Sequence, residues 1–165
     1  MAISTHFRQL RNKIGHDLLQ IPGVAAVIHN QAGRVLLQQN TGDQTWGLPA
    51  GSIEPGETPA QAIVREVWEE TNLKVKPAQI LGVFGGKNFR YTYANGDRVE
   101  YLVVLFKCEV IGPVQELRGR DGETADLQYF VPEEMPTLAM SYPLELLRAG
   151  ELSKTYFDRA EEYFY

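Results

Sequence analysis

A chain of 165 residues has the length of one domain, and 44% hydrophobic with 22% charged residues is a globular composition, not a disordered or fibrous one. Lysine and arginine number 16 against 21 aspartate and glutamate, and the net charge of −5 argues against bulk attraction to nucleic acid or a membrane surface. One small phosphorylated ligand stays compatible, because a bound cation inverts local charge.

The N-terminal Met1-Ala2-Ile3-Ser4 has no apolar core followed by a cleavage site, so a soluble, cytoplasmic protein is expected. Phe7, Leu10, Ile14 and Leu18 fall at helical spacing and predict an amphipathic helix over residues 4–19, ended by Pro22-Gly23. Val24–Ile28 and Arg34–Gln39 read as two strands of a hairpin, turning around Asn30-Gln31-Ala32-Gly33. Thr41–Gly56 reads as a loop with one short strand at Trp46. Thr58–Asn72 is the clearest helix: Thr58 suits the N-cap, Pro59 the first position, Gln61 a capping box, and Asn72 a left-handed cap.

Strands are predicted at Ile80–Phe84, Phe89–Tyr93, Arg98–Glu109 and Ala125–Val131, with a turn at Asn95-Gly96-Asp97. The apolar run Tyr101–Phe106 is far short of the ~20 residues of a membrane helix. Cys108, the single cysteine, excludes an internal disulfide and reads as a buried strand thiol, not a nucleophile. Helices are predicted at 142–149 and 153–164. The aromatic tail (Tyr156, Phe157, Tyr163, Phe164, Tyr165) is expected to pack on the domain, with a homodimer contact as the alternative. Strands on both sides of one well-capped helix predict a mixed α/β sheet layered between helices.

On that helix, Ala60, Ile63, Val64 and Val67 fall within an arc of roughly 40° to 140° and form the expected core face. Glu66, Glu69 and Glu70 share an adjacent arc, with Ala62 beside them. Three carboxylates at i, i+3 and i+4 repel one another unless a cation lies among them, and oxygen donors of this kind suit Mg²⁺ or Mn²⁺. A solvated acidic face is the alternative.

The stretch Gly51-x5-Glu57-x7-Arg65-Glu66-Val67-x-Glu69-Glu70-x-Asn72-Leu73 resembles the Nudix box, with Asn72 in place of the last glycine. Trp46-Gly47-Leu48-Pro49-Ala50-Gly51 is similar to the segment that precedes the box in that family, with Ala50 replacing a glycine. The resemblance implies an α/β/α sandwich with a loop–helix–loop motif that hydrolyses a pyrophosphate bond with divalent metal. The resemblance covers roughly residues 20–135; with the elements predicted outside it, one domain over residues 1–165 is expected, with an N-terminal helix (1–20), a Nudix core (21–135) and C-terminal helices (136–165).

The same resemblance implies roles. Glu66, Glu69 and Glu70 are metal ligands, with the Ala50 carbonyl a further one and Glu57 either touching metal or holding the loop. Arg65 is a positioning residue. The general base is Glu123, just before a predicted strand, or a box glutamate such as Glu69. Tyr91 is a candidate for stacking on a base, and Lys87 and Arg90 for phosphate contacts. The substrate class is a small nucleotide: a nucleotide sugar, a dinucleoside polyphosphate or an NTP. A non-catalytic nucleotide-binding or regulatory module is the competing reading. Other motifs fail: Gly82–Asn88 lacks the spacing and terminal Ser or Thr of a phosphate-binding loop, and His6, His16 and His29 have no metal-ligand spacing.

Overall fold

The computed structural model describes residues 5–113, 116–120, 122–150, 152 and 154–157. Its elements are α1 (Thr5–Ile14), β1 (Leu19–Ile28), β2 (Val35–Asn40), β3 (Trp46–Gly47), β4 (Ala50–Ser52), α2 (Pro59–Thr71) and β5 (Val75–Phe84). They continue with β6 (Arg90–Thr92), β7 (Arg98–Val110), β8 (Thr124–Phe130), α3 (Leu144–Leu147) and β9 (Tyr156–Phe157). The larger sheet has the order β4-β1-β7-β5-β9, with β6 joined to β7; the smaller is β3-β2-β8. β1 runs parallel to β7, from Leu19 opposite Val99 to Ile28 opposite Cys108, while β4 pairs antiparallel with β1 and β5 antiparallel with β7, so the sheet is mixed.

Side-chain alternation along β1 creates two cores. Ile21, Ala25 and Val27 pack with Phe7 of α1 and with Leu146 and Leu147 of α3. Val24, Ala26 and Ile28 pack with Ala62, Ile63 and Val67 of α2. β2 divides in the same way, Val35 and Leu37 to the first core and Leu36 to the second. The sheets therefore lie between α2 on one side and α1 with α3 on the other, the expected α/β/α sandwich. Among the described residues no helix is long and apolar enough to cross a membrane. Cys108 is buried in the second core, and that burial pushes its thiol pKa up to about 12.

Several local expectations are corrected by long-range pairing. The first helix stops at Ile14, where Gly15 takes φ 60° and donates to the Arg11 carbonyl. Pro22-Gly23 is not a helix terminator but the interior of β1, because β7 supplies a parallel partner along its whole length. The turn at Asn30–Gly33 forms, with the Asn30 side chain accepting from the Ala32 and Arg34 amides. Its two strands then part after a single bridge at His29 and Val35: both edges of β1 are taken by β4 and β7, so β2 joins the other sheet.

Of the predicted C-terminal helices the first shortens, and the second is not helical at Tyr156–Phe157, its residues 158–164 lying outside the described ones. Of residues 142–149 only Leu144–Leu147 is helical, and Tyr156–Phe157 is a strand beside β5. Tyr156 stacks on Phe84 at 5.3 Å, and Phe84 also meets Tyr142 edge-on, so the aromatic tail begins by packing on its own domain. Tyr163, Phe164 and Tyr165 lie outside the described residues.

α2 has the predicted capping box between Thr58 and Gln61 and ends on Asn72 at φ 63°. Its buried face is rotated from the one expected. Ala60 and Val64 are exposed, whereas Ala62, Ile63, Glu66, Val67 and Glu70 are buried. The acidic arc faces inward because it packs against backbone of the preceding loop.

Asn72 does more than tolerate left-handed geometry. Its Nδ2 donates to the Glu116 carbonyl at 3.1 Å, and its Oδ1 accepts from Arg120 Nη1 at 2.7 Å. The Arg120 guanidinium also lies 4.1 Å over the Trp68 ring, clamping this segment to the end of α2. Asn72→Gly gains backbone ease but loses two hydrogen bonds of about 0.5–1.5 kcal/mol each. We expect a net loss of about 1 kcal/mol, seen as a Tm lower by roughly 2–4 °C. An unchanged or higher Tm would contradict this role.

Candidate active site

Arg65 projects from the middle of α2 toward the loop that precedes the helix. Its Nε and Nη2 donate to the two carboxylate oxygens of Glu57 at 2.7 and 2.8 Å, a bidentate pair. Nη1 donates to Glu66 at 2.8 Å and to Glu69 at 3.3 Å, and Nη2 also reaches the Ser52 carbonyl at 3.0 Å. One guanidinium therefore joins loop, strand β4 and helix. The Arg65 hydrogen bond holds Glu57 below the ordinary glutamate range, and its partners hold Arg65 fully charged.

Glu66 is 8% exposed, and its carboxylate lies against the backbone of Gly51. A Cβ on Gly51 would stand 1.9 Å from the Glu66 carboxyl carbon, so only glycine permits this approach. Burial pushes the Glu66 pKa up, with Arg65 pulling in the opposite direction. Glu70 is also buried, and its Oε2 accepts from the Ala50 amide at 2.8 Å. Among the described residues no three acidic, histidine or cysteine side chains stand in a metal-ligating arrangement. Arg65 holds Glu66 and Glu69, and the Ala50 amide holds Glu70.

Glu70 and Ala50 open onto a cleft of about 350 Å³. Its walls come from the loop between β2 and β3, from the β6–β7 hairpin and from residues 139–142. Tyr91, Tyr93, Trp46 and Tyr142 give it an aromatic lining, with Gln38 and Asn40 as polar groups. The Tyr91 hydroxyl donates to Asp43 across the cleft, which pushes the tyrosine pKa up to about 12. The Tyr93 hydroxyl pairs with that of Tyr101 at 2.6 Å.

The fold thus brings Glu57, Arg65, Glu66 and Glu69 into one hydrogen-bonded group, with Ala50 and Glu70 beside it and Tyr91 on the cleft wall. Glu123 stands immediately before β8; its carbonyl accepts from Thr41 N, and the neighbouring Thr124 hydroxyl reaches the Glu70 carbonyl at 3.3 Å. Arg90 and Lys87 are not among the residues lining the cleft: Arg90 pairs with Glu100 at 2.7 Å, and Lys87 is exposed on a single 3₁₀ turn. Sequence reasoning missed Asp43, Trp46 and Tyr142 as cleft residues. Trp46 lies in the segment before the box, which was the available signal; Asp43 and Tyr142 reach the site through tertiary packing.

The model of the NUDIX domain matches residues 19–149 of this chain. A MutT-like protein of Streptomyces ambofaciens is 32% identical over 127 residues, 76% of this chain and 74% of the relative. An RNA pyrophosphohydrolase of Yersinia pestis is 47% identical over 60 residues, 36% of this chain, and the match spans only 34% of that enzyme. Among solved structures, a MutT NUDIX hydrolase from Burkholderia pseudomallei has a TM-score of 0.59 at 25% identity, covering 80% of this chain and 99% of that one.

Two outcomes test this geometry. Gly51→Ala forces the Glu66 carboxylate from its place, with an expected stability loss of about 1–3 kcal/mol in thermal melts; a wild-type Tm would contradict the close approach. Because Glu57 is held below the ordinary glutamate range, its contribution is present above that range and lost as pH falls through the lowered value. Glu57→Gln should therefore flatten the acid limb of the stability–pH curve. An acid limb as steep as that of the wild type would contradict the Arg65 pairing.

Proposed function

The chain belongs to the Nudix family of pyrophosphohydrolases, and from that membership we propose that it hydrolyses a pyrophosphate bond in a nucleoside diphosphate linked to a further moiety. The observation that carries this reading is the Arg65-held carboxylate group set beside a cleft that Glu70 and Ala50 line. Nucleotide sugars, dinucleoside polyphosphates and NTPs are the candidate substrates.

The donor set fits a hard divalent cation, since Glu66, Glu69, Glu70 and the Ala50 carbonyl offer only oxygen. These residues would hold Mg²⁺ or Mn²⁺. Such an ion supplies neutralisation of pyrophosphate charge and a lowered pKa for water. Glu57, whose oxygens are given to Arg65 and to the Glu54 amide, holds the loop on the helix. Arg65 positions Glu66 and Glu69. Glu123 is the proposed general base, accepting the proton of the attacking water at its carboxylate, with Glu69 the alternative. Tyr91, Tyr93 and Trp46 give faces on which a base can stack.

Purified protein assayed with Mg²⁺ against nucleotide sugars, dinucleoside polyphosphates, NTPs and ADP-ribose tests the reading. Metal-dependent phosphate or nucleotide release is expected from at least one class; release from none would favour the non-catalytic module. Glu69→Gln and Glu70→Gln should each lower activity by orders of magnitude and reduce the Mg²⁺-induced rise in Tm. Glu123→Gln should lower kcat by about 10²–10⁴-fold. A variant keeping more than about a tenth of kcat would move the base to Glu69.

A further inference from the structure

The charge of the cleft lining restricts which part of a nucleotide can enter it. The described lining residues include two acids, Glu70 on the α2 side and Asp43 on the loop between β2 and β3, and no lysine, arginine or histidine. The remainder is aromatic, small or neutral. Asp43 is held in place from two directions: Oδ1 accepts from the Thr45 amide at 3.1 Å and the Thr45 hydroxyl at 2.7 Å, and Oδ2 accepts from Tyr91.

We propose that Asp43 is a specificity-determining residue. It admits a nucleoside end that carries no phosphate beyond its 5′ chain, and it rejects one extended by a further phosphate, as the first nucleoside of an RNA strand is. The proposal rests on the pyrophosphohydrolase reading and narrows its substrates to small nucleotides whose nucleoside carries no phosphate outside its 5′ chain. Burial alone would raise the Asp43 pKa, but the hydrogen bonds from Tyr91 and Thr45 outweigh it and keep the group ionised at neutral pH. A phosphate brought within a few ångströms of Asp43 then meets a like charge with no lysine, arginine or histidine of the described lining beside it, which amounts to about tenfold in affinity. The aromatic faces of Tyr91, Trp46 and Tyr142 favour a planar, uncharged group in the same space.

The test compares AMP and GMP with adenosine and guanosine 3′,5′-bisphosphate, which differ only in a phosphate on the nucleoside end. Dissociation constants are measured with Mg²⁺ present, on wild type and Asp43→Asn, in low salt and in about 1 M salt, where the screening length falls to roughly 3 Å. We expect the wild type to prefer the monophosphate by about tenfold or more in low salt, and Asp43→Asn to shrink that ratio about fivefold or more. High salt should shrink the wild-type ratio and leave the variant ratio nearly unchanged, which a merely structural role for Asp43 would not produce. A wild-type ratio near one, the same ratio in both proteins, or no binding of either nucleotide overturns the proposal. The hydrolysis assay reports separately: discrimination without turnover sinks the enzyme reading alone, and turnover without discrimination sinks the role of Asp43 alone.

Discussion

The site depends on one cation that belongs to the protein itself. Arg65 brings Glu57, Glu66, Glu69 and the Ser52 carbonyl within hydrogen-bond distance of a single guanidinium. Without it, a buried Glu66 beside two further glutamates on the same helix would carry both a desolvation cost and mutual repulsion. The planar fork also fixes directions, since two of its nitrogens take Glu57 edge-on while the third addresses the helix carboxylates. Removing one partner of such a group costs more than the pair contributes, because the remaining charge is left partly buried. Lysine, a point charge with rotatable donors, cannot reproduce this geometry.

The rest of the architecture brings backbone to that group. β4 pairs with β1 and presents Gly51 to Glu66 and the Ala50 amide to Glu70. The segment 116–120 caps the far end of α2 through the Arg118 and Arg120 amides, and β8 starts beside the helix at Thr124, directly after Glu123. The helix is thus fixed at its start by Thr58, at its middle by Arg65 and at its end by Asn72 and Arg120. Arg65 and the Ala50 amide hold the carboxylates of α2, and among the described residues no three of them stand in a metal-ligating arrangement, so a cation would bind by exchanging with those hydrogen bonds.

What the sequence revealed follows from how local each signal is. The caps of α2, its span and the spacing of its charged residues are properties of one short segment, and they were legible. So was β7, predicted over Arg98–Glu109 and found over Arg98–Val110. The destination of β2, the strand character of Pro22-Gly23 and the one-turn length of α3 depend on partners far along the chain, and no local pattern carries them. The buried face of α2 was misplaced for a related reason. Apolar residues mark a core face by default, but here Gly51 lets a carboxylate pack inward while Val64 stays 37% exposed. In the cleft, Tyr91 was found by position, whereas Arg90, its neighbour on the strand, turns to Glu100. Asp43 and Tyr142 come together with it only in the folded chain.

The proposed divalent-cation site is the inward acidic face of α2, beside Arg65 and the Ala50–Gly51 backbone. Electron paramagnetic resonance of Mn²⁺ titrated into the protein measures it without requiring a known substrate. A saturable loss of the free Mn²⁺ signal is expected with wild type, competed by Mg²⁺ and lost in the combined Glu66→Gln, Glu69→Gln, Glu70→Gln variant. Equal Mn²⁺ binding by that variant, folded to the wild-type circular dichroism spectrum, would contradict it.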